Sequence, residues 1–245
     1  MIRKILIIPD CHRPFHSKKA WDLCLEIASF VGIDEIVLLG DFADFYSVSR
    51  YTKDPTLPHL LEKEISSVNA GLDDLDKLWC NHKKIYLSGN HEERLSSLIL
   101  DRAPQLFGLT HCKNLFRLDR RINWTWIEYG HDQSYAVGGS KLLARHRPLT
   151  SNARSALLRA GCSYVHGDTH RIEEVHAVSF DKRDLVSFSP GWLGDERFDA
   201  FSYTLPQWQK GFAIIYVMNS SKEFHHEIVR IKNNIAICHG KVFKG

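Results

Sequence analysis

Ile85-Tyr86-Leu87-Ser88-Gly89-Asn90-His91-Glu92 sets a short apolar run against an amide, an imidazole and a carboxylate in consecutive positions. The run reads as a strand buried on both faces, since unbroken apolar segments of this length suit a sheet interior. Polar groups crowded at its mouth are costly to bury unless something uses them. A metal ion together with an anion is the use that fits these three side chains.

The same design stands upstream. Residues 5–8 are apolar and end at Pro9-Asp10, and Ile36-Val37-Leu38-Leu39 is closed by Gly40-Asp41. Between them Trp21, Cys24, Leu25, Ala28 and Val31 recur at helical spacing until Gly32. Strand, helix, strand at this spacing is a βαβ unit, so the first sheet is expected to be parallel with right-handed crossovers. After a proline-punctuated loop at 54–58, Leu61, Ile65, Val68, Leu72, Leu75 and Trp79 alternate steps of four and three. That is the pattern of a core-facing helix; under three heptads it is too short to favour a coiled-coil seam. A helix over 92–100 comes directly after the opening stretch.

Residues 101–121 carry a weaker pattern, with Pro104 opening a short helix and Arg117, Arg120 and Arg121 read as solvated loop. Strands are then expected over 124–129, 140–144, 163–165, 172–180, 185–188, 212–217 and 227–231. A helix fits 153–160, stopped by Gly161, and Asp181-Lys182-Arg183 is a hairpin turn. A parallel first half and a strand-rich second half call for two mixed sheets packed face to face with helices outside, in a single domain over 1–245.

With 44% hydrophobic and 25% charged residues, the chain can bury such a core. The formal charge of +3 suits a small anionic substrate and nucleic acid equally. Six cysteines without a C-x-x-C pair read as thiols of a reducing compartment. No run approaches a membrane span and the N-terminal apolar run is short for a leader, so a cytoplasmic protein is expected.

Five strand ends carry metal-capable side chains: Asp10-Cys11-His12, Gly40-Asp41-Phe42-Ala43-Asp44, Gly89-Asn90-His91, Arg145-His146 and Gly167-Asp168-Thr169-His170. Ligands of open α/β sheets gather at carboxyl strand ends, so these could converge. In this order the blocks resemble the calcineurin-like metallophosphoesterases, most of all compact phage and bacterial members. The resemblance runs from residue 10 to 170, and Ser189-Pro190-Gly191 is similar to a turn found beyond these blocks in that family.

The resemblance implies a four-layer α/β/β/α sandwich and two divalent metal ions, Mn²⁺ first, with Mg²⁺, Fe or Zn²⁺ as alternatives. One ion would be held by Asp10, His12, Asp41 and His170; Asp41 would bridge to the other, which adds Asn90, His146 and Asp168. Such a pair, about 3.5–4 Å apart, clamps phosphoryl oxygens and supplies a hydroxide for in-line attack. His91 would protonate the leaving oxygen, with Asp44 orienting its imidazole.

Two departures stand out. Asp168 occupies a position that is usually histidine, which is expected to bias the second site toward Mn²⁺ or Mg²⁺ and away from Zn²⁺, or else to weaken it. Phe45 stands where many members carry an arginine; Arg94 is the first choice to replace that cation, with Arg145 or Arg147 behind it. Trp192, Phe45 and Tyr46 could stack on a base or belong to the core, with the core favoured. Lys113, Arg117, Arg120 and Arg121 could touch a nucleic-acid backbone or simply be solvated, and solvation is favoured. Cys11 and His166 are expected to pack, and Glu92 to be a helix N-terminal carboxylate. The implied activity is a phosphomonoesterase on a small phosphorylated substrate such as a nucleoside monophosphate. A phosphodiesterase or nuclease is the alternative, ahead of a protein phosphatase and a non-catalytic scaffold.

Overall fold

In the computed structural model, which describes residues 1–50, 52–53, 60–150, 153–196 and 207–245, the apolar runs are adjacent strands. Strand β1 (Ile2–Ile8) leads through helix α1 (Lys18–Val31) to β2 (Glu35–Leu38). Helix α1 starts at Ser17, whose hydroxyl accepts from the Ala20 N–H, and stops at Gly32 with φ 71°. Helix α2 (Leu61–Leu78) then leads to β3 (Lys83–Leu87) and α3 (Asn90–Arg102). The loop expected at 54–58 lies outside the described residues.

Two single-turn helices, α4 (Phe107–Thr110) and α5 (Cys112–Leu115), precede β4 (Trp124–Ile127). Next come strands β5 (Tyr135–Ala136) and β6 (Leu143–Arg145), helix α6 (Ala153–Ala160), β7 (Tyr164–His166), β8 (Ile172–Val178) and β9 (Asp184–Pro190). The chain closes with β10 (Lys210–Met218), β11 (Phe224–Lys232), β12 (Ile235–Cys238) and β13 (Lys241–Lys244).

These form two mixed sheets, ordered β13-β12-β11-β10-β1-β2-β3-β4 and β5-β6-β7-β9-β8. Strands β1 to β4 are parallel, as the βαβ reading requires, while β10 lies antiparallel against the free edge of β1. Alternation along β1 shows why both its faces are apolar. Leu6 and Ile8 enter the core under α1 and α2; Ile5 and Ile7 enter the core between the sheets with Val37, Leu39, Val165 and Phe188. A third cluster packs α6 onto the outer face of the smaller sheet through Leu157, Tyr164 and Leu185. The layers are therefore helix, sheet, sheet, helix, as expected.

Three expectations need correction. The strand expected at 140–144 begins only at Leu143, because Gly138 and Gly139 sit at φ 56° and 70° and keep the chain in a turn. Strands β12 and β13 extend the sheet beyond the elements expected from sequence. Two-residue hairpins at Asn233-Asn234 and His239-Gly240, all with positive φ, join β11 to β12 and β12 to β13. Arg121 is no solvated loop residue: its guanidinium lies 2.6 Å from Asp76 and 2.7 Å from Asp73, fixing α2 to the segment before β4. Among the described residues no helix is long and apolar enough to cross a membrane.

Candidate metal centre

Asp10 lies just past β1, Asp41 past β2, Asn90 and His91 open α3 after β3, His146 is next after β6, and Asp168 and His170 lie past β7. The backbone at this edge is unusual. His12, Asp41, Phe45, Asp168 and His170 all have φ between 48° and 65°. A non-glycine residue in that region costs on the order of 1–3 kcal/mol, so the surrounding contacts must impose it. Two glycines let the loops close in. A Cβ on Gly89 would lie 2.1 Å from Asp41 Oδ1, and one on Gly167 would lie 2.4 Å from Asp10 Oδ2.

Glu92 does more than the helix N-terminal role expected of it. It is buried and accepts from the backbone N–H groups of Asp41 (3.1 Å), Ala43 (2.9 Å) and Gly89 (2.8 Å) and from the Tyr86 hydroxyl (2.7 Å). One carboxylate thus ties the end of β2 to the end of β3. The Asp41 side chain returns the tie by accepting from the His91 N–H at 2.8 Å.

Asp10, His12 and His170 bring one ligand atom each to within 4.8 Å of one another, and so do Asp10, Asp41 and His146. Asp10 is common to both groups, the place that the resemblance gives to Asp41. His12 Nε2 and His170 Nε2 face each other at 3.0 Å, and Asp10 Oδ2 is buried without a hydrogen-bond partner among the described residues. His146 Nδ1 donates to the Leu39 carbonyl at 2.9 Å, which leaves Nε2 aimed at Asn90 Oδ1 (3.0 Å) and Asp41 Oδ2 (3.3 Å). Two imidazole nitrogens brought face to face, an unpaired carboxylate oxygen and a His146 tautomer fixed from behind are what a cation site needs, so this donor set fits divalent ions.

The electrostatics of the imidazoles bear on that fit. Burial, then the charge of His91, pushes the His12 imidazole below its ordinary pKa, toward the neutral form a metal requires. Burial opposes the charge on His146, but Asp41, then Asp10 and Asp168, raise its pKa to about 10. A divalent cation would take the place of that proton.

Asp44 touches both imidazoles. Its carboxylate lies 3.0 Å from His12 Nδ1, and its carbonyl accepts from His91 Nδ1 at 2.9 Å. Burial disfavours the His91 imidazolium, whereas Asp41 and Asp44 favour it and prevail, raising its pKa. Yet Arg94 Nη2 lies 2.7 Å from His91 Nε2. A guanidinium only donates, so in this arrangement Nε2 accepts and the ring is neutral. The contact with Arg94 thus opposes the proton that the two carboxylates favour.

Asp168 stands somewhat apart. Its Oδ1 is 3.9 Å from His146 Nε2, its N–H donates to Asp10 Oδ1 at 2.9 Å, and Arg147 Nε donates to its Oδ2 at 3.3 Å. Trp192 is buried with its ring stacked on His170 at 4.9 Å, so it braces an imidazole and offers no free face to a base. Phe45 is fully buried and stacks on Phe116; Cys11 and His166 are buried as expected. Two further residues, not singled out by any sequence pattern, support the site. The Gln133 side chain accepts from the His146 N–H (2.9 Å) and donates to the Ser88 carbonyl (2.7 Å), linking the two sheets. Trp208 packs edge-on against both His170 and Trp192.

A sequence model of the calcineurin-like phosphoesterase family matches residues 3–195. The Gene 54 protein of Mycobacterium phage L5 is 24% identical over 238 residues, spanning 89% of this chain and 90% of that protein. Among solved structures, vacuolar protein sorting 29 from Cryptosporidium parvum aligns over 99% of this chain and 95% of its own, with TM-score 0.48 and 15% identity. Yfce, a phosphoesterase from E. coli, aligns over 92% of this chain and 98% of its own, with TM-score 0.39 and 13% identity.

Proposed function

Because the chain belongs to the calcineurin-like phosphoesterases, we propose that it hydrolyses a phosphate ester at this strand-end cluster. The observation that carries the reading is the pair of ligand groups sharing Asp10, with His91 at their margin. Asp10, His12, Asp41 and His170 would hold one divalent ion; Asp41, Asn90, His146 and Asp168 would hold the second. When bound, such ions supply Lewis acidity to phosphoryl oxygens and lower the pKa of a water.

The chain's own groups do the rest. Water adds to phosphorus, the ester P–O bond breaks, and one proton must reach the leaving alkoxide. His91 is the group to deliver it, and Asp44 holds its ring through Nδ1. Arg94 must first release Nε2; a phosphate is the stronger partner for a guanidinium, so substrate arrival moves Arg94 onto phosphate and lets the neighbouring carboxylates load His91 with a proton. Arg94 thereby supplies the cation that Phe45 does not. Asp168, as a hard ligand, favours Mn²⁺ or Mg²⁺ over Zn²⁺.

The substrate is a nucleotide-sized ester, a nucleoside monophosphate being its smallest form and a phosphodiester the second reading. The test is direct. Chelator-stripped protein is reloaded with Mn²⁺, Mg²⁺ or Zn²⁺ and assayed on a nucleoside monophosphate, a nitrophenyl monoester and a bis-nitrophenyl diester. Turnover that needs metal and is lost in His91→Ala supports the reading. No turnover with any metal, from folded protein that binds metal, would leave a scaffold as the better account.

A further inference from the structure

Beside Asp168 opens a cavity of about 840 Å³, lined among others by Tyr129, Gln133, Arg145, Arg147 and Arg171. It borders the candidate metal centre: its lining residue Asp168 lies 3.9 Å from His146 Nε2, and its lining residue Gln133 accepts from the His146 N–H. Its volume falls within the range of small-molecule sites. Its charge is one-sided, with three guanidinium groups and, among the lining residues, the single carboxylate of Asp168.

The internal pairings leave that charge largely unspent. Arg147 is steered by Asp168 and by the Tyr129 hydroxyl at 3.5 Å, and Arg171 meets Glu173 only at 3.5 Å. Arg145 Nε is buried and makes no hydrogen bond among the described residues. A buried guanidinium N–H without an acceptor is expensive, and an anion in the cavity that Arg145 lines would offset its charge. The contrast lies across Asn90, where a cavity of about 570 Å³ has Arg50, Arg94 and Arg102 offset by Glu93 and Asp101.

We propose that the cavity beside Asp168 is a second anion site of the active centre, holding on Arg145, Arg147 and Arg171 a phosphate of the substrate other than the one hydrolysed. This rests on the phosphoesterase reading and narrows it to substrates with at least two phosphates. The shared chemistry has two sources, a doubly phosphorylated nucleoside or the neighbouring phosphate of a nucleic-acid strand.

The experiment compares kcat/KM of the Mn²⁺-loaded full chain on a nucleoside monophosphate, the bisphosphate of the same nucleoside, and a short oligothymidylate. At least one two-phosphate substrate is expected to exceed the monophosphate by about tenfold or more, the scale of one charge-assisted hydrogen bond. Arg145→Gln and Arg171→Gln should each reduce that ratio severalfold. Preference for the bisphosphate marks the small metabolite as the source; preference for the oligothymidylate marks the strand. Titration calorimetry in a His91→Ala background repeats the comparison without turnover, and the same ranking of affinities is expected. Equal kcat/KM on all three, or a preference that survives in both variants, overturns the second site while leaving the phosphoesterase reading intact. Absence of all turnover with intact metal binding overturns both.

Discussion

The wall of the site built from Asp41, Asn90 and Glu92 is gathered by one buried carboxylate, whereas the wall built from Asp168, His170 and Trp192 combines backbone hydrogen bonds with aromatic rings stacked on one another. On the first, one buried carboxylate gathers three N–H groups and a phenol. On the second, His170 leans on Trp192 and Trp208, and Asp168 is shared between the site and the exposed Arg147. The first wall depends on one residue, Glu92, while the second spreads its contacts over several, with Asp168 the member that also faces solvent-exposed Arg147.

The sharpest way to break this contrast is Glu92→Ala. It strands several buried donors at once, so stability should fall by about 4 kcal/mol or more, read from urea unfolding, and metal binding should go with it. His91→Ala should cost about 1–2 kcal/mol of stability, well short of Glu92→Ala, and lower kcat by roughly 10²–10⁴. A stable protein with unchanged kcat would remove His91 from the chemistry. On the second wall, Asp168→His should preserve the fold and shift relative activity toward Zn²⁺ by around tenfold, measured by metal-swap kinetics. Unaltered metal preference would mean that Asp168 serves Arg147 and not the ion.

The smallest expected effect is a pH shift. Against the cost of burial, Asp41 and Asp44 raise the folded-state pKa of His91, so an acid form acting in catalysis is present at low pH and lost as pH rises through that value. Asp44→Asn removes one of those charges, and the alkaline limb of kcat should move to lower pH by about one unit. An alkaline limb that stays in place would show that some other group donates the proton.

Much of this is legible because buried strands leave a strong imprint: apolar runs ending in ligand-type residues locate β1, β2, β3 and β7, with β6 displaced by the glycine turn before it, and name groups that meet in the fold. The features that escape such a reading have a common cause. Glu92 looks like an ordinary first-turn carboxylate, since its donors belong to the backbone of residues 41, 43 and 89, which leave no side-chain signature. Gln133 sits in a polar loop whose pattern gives no periodicity. Trp192 can pass for a stacking platform because burial against His170 depends on a register that only the assembled sheets define. Arg121 looks solvated because Asp73 and Asp76, its partners, lie on a helix some forty-five residues earlier.

The position of β1 has a further consequence during synthesis. Its two neighbours, β2 and β10, leave the ribosome far apart in time, since β10 begins only at Lys210. Asp10, Asp41 and Asn90 can be placed as soon as the parallel strands β1 to β3 have formed, but His146, Asp168 and His170 arrive with the other sheet. The nascent chain therefore carries Asp10, His12, Asp41 and Asn90 as a half-site that His146, Asp168 and His170 complete later. Metal retention by the growing polypeptide should be a late event, marking the moment when the two sheets close on each other.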